Sequence, residues 1–195
     1  MAISADLVKQ LREITGLGMM KCKEALEATG GDTEKAIEYL RKQGLKSADK
    51  RAGRETSQGV IASYVHSNNK IGVLVEVKCE TDFVARNEEF RQFARDLCMQ
   101  VAATRPVAIS QDQVPATVVE KEREIYREQV KDKPPQAVEK IVEGKLQAFF
   151  KERCLLDQPF VKDPKMTVTD LLKSLIAKLG ENIVISRFVR MELGE

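Results

Sequence analysis

Residues 79–87, with the sequence CETDFVARN, join a predicted β-strand to a predicted α-helix. Before them, apolar side chains recur at every second position over residues 73–79, which is the pattern of a half-buried strand. After them, Asn87 is a good helix cap, and apolar residues follow at helical spacing over residues 90–101. Residues 81–86 are therefore predicted to be a connection between the two elements.

Phe83 and Val84 lie beside Asp82 in this predicted connection. Two interpretations are open from the residues alone. Apolar side chains that are exposed in a connection can anchor a protein in a pocket of its partner. Most Phe and Val side chains are instead buried in the core of their own protein, and this base rate favours a buried Phe83.

The composition describes a globular protein rather than a disordered one. Apolar residues make up 43% and charged residues 32% of the 195 residues, and the net charge is only +2. Proteins that follow nucleic-acid phosphates usually show a strong basic excess, so the charge gives no argument for nucleic-acid binding. The length allows a small module beside a larger domain.

Compartment signals in the sequence indicate a cytoplasmic protein that does not bind a membrane. No apolar run is long enough to span a bilayer, and the first six residues, MAISAD, lack the features of a signal peptide. The cysteines form no C-x-x-C pair, so free thiols are expected rather than a zinc site or a disulfide framework. They are Cys22, Cys79, Cys98 and Cys154.

The apolar patterns divide the chain into three predicted parts. Residues 1–44 contain three short amphipathic helices, with Ser4 and Asp32 as caps and a glycine after each helix, the third of which is Gly44. Residues 45–58 lose the apolar pattern and are rich in Lys and Arg, which predicts a basic linker. Residues 59–195 are predicted to form an α+β core domain.

Met19 and Met20 begin the second helix of the N-terminal module. About 45 residues are close to the lower limit for independent folding, so one of the two methionines is expected to pack inside. The other is expected to face outward, because methionine adapts to irregular contact surfaces.

The predicted core domain combines a small antiparallel sheet with helices. Two strand patterns flank Ser67-Asn68-Asn69 and predict a β-hairpin, because asparagine tolerates the positive φ of tight turns. A long helix over residues 88–104 is predicted to pack on this sheet, and residues 182–193 supply a third strand. Residues 155–165 are predicted to be irregular, followed by a helix that Gly180 ends.

Residues 115–151 predict an αα-hairpin. Two helices with apolar stripes are separated by Lys133-Pro134-Pro135, which a continuous helix does not tolerate. Such a hairpin can contact a partner or pack on its own domain, and the sequence leaves both interpretations open. The complete prediction is an α+β fold with a three-helix module, a linker, a small antiparallel sheet with helices, and this hairpin.

Recognisable catalytic and nucleotide-binding motifs are absent from the sequence. It has no G-x-x-x-x-G-K-[ST] loop and no G-x-G-x-x-G turn, so the chain is not expected to bind a nucleotide itself. It also lacks the G-x-S-x-G and H-E-x-x-H motifs, and one histidine, His66, excludes most histidine-ligated metal chemistry. An enzyme that uses Asp82 would need partner residues that the sequence does not show. We therefore expect a binding protein without catalytic residues, cofactor or metal.

Several separate segments together resemble the bacterial elongation factor Ts family. They are TGLGMM at 15–20, CETDFVAR at 79–86, EKIVEG at 139–144, QPFV at 158–161 and GENI at 180–183. The resemblance covers essentially the whole chain. It implies a guanine-nucleotide exchange factor for elongation factor Tu, with an N-terminal module similar to a ubiquitin-associated (UBA) fold.

The resemblance also implies roles for particular residues. The family's Thr-Asp-Phe-Val motif falls on Thr81, Asp82, Phe83 and Val84. Phe83 is implied to insert into the GTP-binding domain of elongation factor Tu, and Asp82 to help disturb the magnesium and phosphate region so that GDP leaves. This implication overturns the preference for a buried Phe83. In the N-terminal module, the implied partner contacts are Arg12, Met19 and Met20.

Two positions depart from the family pattern. Lys21 stands where the family usually has Asp, and Ser186-Arg187 stands where it usually has Arg-Arg. The chain also has one copy of a sheet-and-helix unit that longer members carry twice, which predicts a homodimer.

The alternative function is a ribosome- or RNA-associated module that uses residues 46–54 and the helical hairpin. No aromatic side chain is interleaved with the basic residues of the linker for stacking on bases. Direct nucleic-acid binding is therefore not expected.

Overall fold

A computed structural model describes residues 3–194 and shows an α+β fold. In chain order the elements are α1 (Ala5–Thr15), α2 (Met19–Ala28), α3 (Thr33–Asp49), β1 (Gln58–Val65), β2 (Ile71–Cys79), α4 (Asp82–Ala85), α5 (Glu88–Thr104), α6 (Ala116–Gln129), α7 (Pro135–Arg153), β3 (Pro159–Phe160), β4 (Asp163–Thr167), α8 (Val168–Leu179) and β5 (Ile183–Glu192). No helix within residues 3–194 is long and apolar enough to cross a membrane.

The described residues group into two compact units. Unit 1 comprises the chain up to Gly59, together with Lys78–Arg86 and Asp170–Val184. Unit 2 comprises Val60–Val77, Asn87–Thr169 and the chain from Ile185 onward. The predicted division of the chain into a module, a linker and a core domain at residues 44 and 58 stays a prediction.

The three N-terminal helices of unit 1 have the predicted caps. The Leu7 N–H donates to the Ser4 hydroxyl at 3.2 Å, and the Lys35 N–H donates to the Asp32 carboxylate at 3.0 Å. Gly16 ends α1 in the left-handed conformation, with φ at 66°. The helices enclose a small apolar core of Val8, Leu11, Cys22, Ala25, Leu26, Ala36 and Leu40.

The third helix extends past the predicted end. Gly44 lies inside α3, which continues to Asp49, so the first part of the predicted linker is helical. A Cβ added at Gly44 would lie 3.2 Å from the Cβ of Ala177 in α8. Gly44 therefore allows α8 to approach α3 closely, and does not end the helix as predicted. The prediction ended the helix too early because only Ala48 of the added turn is buried, which leaves no apolar pattern to indicate a helix.

The predicted antiparallel sheet is confirmed, with strand order β1-β2-β5. The His66 N–H donates to the Ile71 carbonyl across the β1–β2 turn, where Asn69 has a φ of 54°. The alternating side chains of β2 are buried, as predicted. The predicted helix over residues 88–104 is α5, and it buries its apolar stripe of Phe90, Phe93 and Leu97.

The predicted αα-hairpin consists of α6 and α7. Its interior contains Val130, Val142 and Leu146, flanked by half-buried residues such as Val119, Tyr126 and Phe150. At its base, Phe149 and Phe150 pack against Ala108, Val114 and Cys154 of the same unit. The base of the hairpin thus packs on its own unit, one of the two interpretations left open.

The segment predicted to be irregular contains the two-stranded antiparallel ribbon β3–β4. The side chain of Gln100, which is fully buried in α5, organises it. Gln100 donates to the Pro159 carbonyl at 3.1 Å and accepts from the Val161 N–H at 2.8 Å. This prediction was wrong because the prolines at 159 and 164 are more typical of a loop than of a strand. The hydrogen bonds from Gln100 that stabilise the ribbon come from a helix distant in the sequence.

Candidate partner-binding site

The predicted connection between β2 and α5 contains a one-turn helix, α4, which the sequence analysis did not predict. Thr81 is its N-cap, and its hydroxyl accepts a hydrogen bond from the Val84 N–H at 3.3 Å. A single turn is too short to show helical periodicity in the sequence, which is why it was missed.

Helix α4 exposes Phe83 and buries the two residues that follow it. The Phe83 side chain is 81% exposed, whereas Val84 is only 5% and Ala85 8% exposed. Burial of Val84 and Ala85 anchors the turn. The phenyl ring therefore projects into solvent from a fixed base. Burial of Phe83, which the residues alone favoured, is therefore wrong, and the ring is exposed as the resemblance implied. Phe83 and Val84 do not form one exposed patch.

The carboxylate of Glu181 holds the start of this turn. Its Oε2 accepts hydrogen bonds from the Glu80 N–H at 3.1 Å and the Thr81 N–H at 3.0 Å. Its Oε1 accepts from the Thr81 hydroxyl at 2.6 Å. Hydrogen bonds to an ionised acceptor are among the stronger ones in proteins.

Glu80 makes the reciprocal contact with the chain beside Glu181. Its Oε1 accepts from the Asn182 N–H at 2.6 Å and lies 3.5 Å from the Arg54 guanidinium. The Asn182 amide, which is buried, donates to the Arg54 carbonyl at 2.8 Å. Residues 80–81 and 181–182 thus brace each other. We call this set of contacts the 80–181 clasp.

Sequence reasoning did not assign a role to Glu181 or Asn182, although both lie in the GENI segment that carried the resemblance. The two halves of the clasp are about 100 residues apart in the chain. No local spacing or periodicity connects them, so only the tertiary structure reveals the contact.

Asp82 lies at the surface beside Phe83. Its carboxylate forms an ion pair with Arg86 one turn later, at 2.8 Å. Both side chains are largely exposed, so this pair contributes little to stability. The Asp82 carboxylate accordingly remains accessible to a partner.

The predicted contacts of the N-terminal module are exposed as well. Met19 is 40% and Met20 68% exposed, so the expectation that one of them packs inside is wrong. Cys22, Ala25 and Leu26 already fill the inward face of α2. Arg12 is exposed on α1, and Lys21 is exposed beside Met20. All seven predicted site residues lie in unit 1.

The thiol nearest the site is not a reactive nucleophile. Burial, reinforced by the negative charge of Glu181, raises the pKa of Cys79 to about 11. Within residues 3–194, no group of three or more His, Cys, Asp or Glu side chains is placed to hold a metal ion. This surface offers an exposed aromatic ring, a neighbouring carboxylate and a braced backbone.

Comparison with known proteins gives matches along the whole chain. The sequence model of the family described as Elongation factor TS matches residues 22–195. Elongation factor Ts of Thermodesulfovibrio yellowstonii is 58% identical over 196 residues, which cover 100% of this chain and 98% of that protein. Elongation factor Ts of Nitratidesulfovibrio vulgaris is 57% identical over 196 residues with the same coverage. Elongation factor Ts of Thermotoga maritima is 56% identical over 195 residues, again covering 100% and 98% of the two chains.

Proposed function

The chain belongs to the elongation factor Ts family of translation factors, and from this premise we propose that it is a guanine-nucleotide exchange factor. Its partner is elongation factor Tu with GDP bound. The chain binds this complex and promotes release of GDP by disturbing the region that holds the magnesium ion and the phosphates. It acts in the cytoplasm and binds no nucleotide, cofactor or membrane itself.

The single observation that carries the proposal is the exposure of Phe83 on a braced turn. Leaving a phenyl ring in water forgoes roughly 2 kcal/mol of burial free energy. The neighbours Val84 and Ala85 are buried, so the same short segment does reach the protein interior. A rigid aromatic side chain presented in this way has the properties of an interface anchor.

Exchange of this kind needs no catalytic residue. A factor accelerates nucleotide release if it binds the nucleotide-free conformation of its partner better than the nucleotide-bound one. The coupling is reciprocal, so GDP must weaken binding of the factor by the same amount. In this mechanism Phe83 inserts into the GTP-binding domain, and the exposed Asp82 carboxylate acts beside the magnesium and phosphate region.

The N-terminal module supplies a second contact in this proposal. Arg12, Met19 and Met20 dock on the GTP-binding domain through a surface similar to that of a UBA fold. Both methionines are exposed, as an adaptable contact surface requires. Lys21 adds a positive charge beside them.

The test is release of a fluorescent GDP analogue from elongation factor Tu. Wild type should accelerate release, and Phe83→Ala should lose about 2 kcal/mol of that effect, roughly thirtyfold. Ile125→Ala is the matched control, because Ile125 is an exposed apolar residue on α6 in the other unit. Circular dichroism should show both variants folded.

Two outcomes would contradict the proposal. If wild type does not accelerate release, the exchange function is wrong. If wild type is active and Phe83→Ala keeps full activity, exchange stands but Phe83 is not the anchor.

We further propose that the chain is a homodimer, as the single sheet-and-helix unit suggests. The outer face of the sheet supports this, because each strand carries exposed apolar side chains there. They are Ile61 and Val65 on β1, Leu74 on β2, and Val189 and Met191 on β5. An apolar sheet face of this kind suits association with an identical face about a two-fold axis.

The alternative of an RNA-binding module receives no support from the basic segment. Arg51 donates to the Gly180 and Ser47 carbonyls, and Arg54 contacts Glu80. These guanidinium groups support unit 1 itself. Strong, salt-sensitive RNA affinity without any effect on elongation factor Tu would favour the alternative.

A further inference from the structure

We propose that Glu181 is a positioning residue for Phe83. Through Phe83 it affects the exchange rate, without itself contacting GDP or the phosphate region of elongation factor Tu. The inference rests on the proposed exchange function for its consequence, but its structural part is independent of it. It follows from the contacts of one carboxylate at the start of α4.

Three donors converge on this carboxylate. They are the backbone N–H groups of Glu80 and Thr81 and the Thr81 hydroxyl, all within 3.1 Å of a Glu181 oxygen. The two N–H groups lie where the chain leaves β2 and has not yet entered α4. Glu181 therefore supplies the hydrogen bonds that regular structure supplies elsewhere.

The Thr81 hydroxyl links this anchor to Phe83. It donates to Glu181 and accepts from the Val84 N–H, so one hydroxyl fixes both the start and the first turn of α4. Phe83 lies inside that turn. The backbone of this turn sets the direction of the Phe83 side chain, because the ring is largely exposed and has few contacts of its own.

The clasp is also fixed from the other side. The Asn182 N–H donates to Glu80, and the Asn182 side chain donates to the Arg54 carbonyl. The backbone next to Glu181, just after α8, is thus held by contacts of its own, which restricts the position of the Glu181 carboxylate. A rigid acceptor can orient a turn, whereas a mobile one cannot.

Preorganisation of Phe83 has a kinetic consequence. An anchor that is already oriented does not have to be ordered during binding, so less of the interaction free energy is lost. Removal of the Glu181 carboxylate should therefore weaken the effect that passes through Phe83. Contacts that do not depend on Phe83, such as those of Met19 and Met20, should be unchanged.

The first experiment tests the structural part without elongation factor Tu. The chain has no tryptophan, so Phe83→Trp creates a single reporter at the tip of α4. Time-resolved fluorescence anisotropy should show faster local motion of this reporter when Glu181→Ala is added. Glu181→Gln should restore most of the rigidity, because the amide oxygen still accepts from the backbone N–H groups. Glu55→Ala, an exposed glutamate substitution in the same unit, should change nothing. Equal local motion with and without Glu181 would overturn the positioning role.

The second experiment is a double-mutant cycle in the GDP-release assay. Glu181→Ala alone should slow release about tenfold, as expected for loss of a charged hydrogen-bond acceptor. Because it acts through Phe83, it should have almost no further effect in the Phe83→Ala background. Glu181→Gln should recover most of the rate.

The two experiments separate the possible failures. An equal loss from Glu181→Ala in both backgrounds would show a general structural role and overturn the inference. If wild type fails to accelerate GDP release from elongation factor Tu, the exchange function is wrong, while the anisotropy result still decides whether Glu181 positions residue 83.

Discussion

At the scale of single residues, the hydroxyl of Thr81 makes two hydrogen bonds with different roles. It caps α4 by accepting from the Val84 N–H, and it donates to the Glu181 carboxylate. A hydroxyl group can do both at once because it has one donor and two acceptor positions. An isosteric apolar side chain at position 81 would lose both contacts.

We predict that Thr81→Val lowers the free energy of unfolding by about 1 kcal/mol, the usual cost of losing a helix cap. Thr81→Ser retains the hydroxyl and should stay close to wild type. Urea denaturation followed by circular dichroism measures both. Equal stabilities of the Val and Ser variants would show that the cap contributes nothing.

The buried thiols are a second feature at the residue scale. Burial raises the pKa of Cys79, Cys98 and Cys154 to about 11, from 9.0. A group whose pKa is raised by folding contributes stability that is complete below its unfolded pKa. That contribution is lost as the pH rises from about 9 to about 11, because the unfolded thiols ionise first.

Stability should therefore fall between pH 9 and pH 11, measured as the free energy of unfolding in urea at each pH. Cys98→Ala removes one of the three titrating thiols, so its stability should fall less steeply over the same interval. A slope unchanged by Cys98→Ala would exclude this thiol as a cause.

At pH 8, alkylation by iodoacetamide should be slow in the folded protein and complete in denaturant.

At the scale of elements, glycine has opposite roles in two helices. Gly16 ends α1 with a φ of 66°, a conformation that L side chains adopt only with strain. Gly144 lies inside α7, exposed, with no atom close to the position of an added Cβ. The first glycine is required by its backbone, and the second weakens its helix.

The same substitution should accordingly have opposite effects at these two positions. Gly144→Ala should stabilise the protein by about 0.5 to 1 kcal/mol, the helix-propensity difference. Gly16→Ala should destabilise it by about 1 kcal/mol, because alanine resists the left-handed region. Thermal and urea unfolding measure both effects. Destabilisation by Gly144→Ala would indicate that α7 needs its glycine for a contact.

At the scale of the whole molecule, the outer face of the three-stranded sheet is notable because all three strands carry exposed apolar side chains there. Exposed apolar residues at alternate positions face away from the buried side of β2. An ion pair between Glu76 and Arg187, at 2.7 Å, lies across the neighbouring strands β2 and β5. Self-association would remove this apolar surface from water.

If the homodimer forms through this face, Val189→Glu should convert it to a monomer, because the charge would be buried without a partner. Val107→Glu is the matched control: Val107 is 50% exposed, close to the 53% of Val189, but lies outside the sheet. Sedimentation velocity at micromolar concentration measures both variants. A dimeric Val189→Glu variant would exclude this face, and a monomeric wild type that exchanges nucleotide at full rate would exclude the dimer.

Much of the fold could be predicted because its determinants are local. Period-two apolar residues over 73–79, helical spacing over 90–101, and caps at Ser4, Asp32 and Asn87 all act within a few residues. The site motif was found by resemblance alone, since a four-residue segment has no periodicity that reveals its conformation. From the residues themselves, the expectation for Phe83 was burial.

Local sequence by itself thus determined where the principal strands and helices lie, and its resemblance to a known family indicated which residues to propose for the site. Only the tertiary structure decided that Phe83 is exposed, that Gly44 lies inside α3, and that Gln100 organises the β3–β4 ribbon. It alone shows that Glu181 braces α4 from about 100 residues away. The physical reason is that burial and long-range hydrogen bonds depend on which distant groups meet, whereas periodicity and capping depend only on neighbours in the chain.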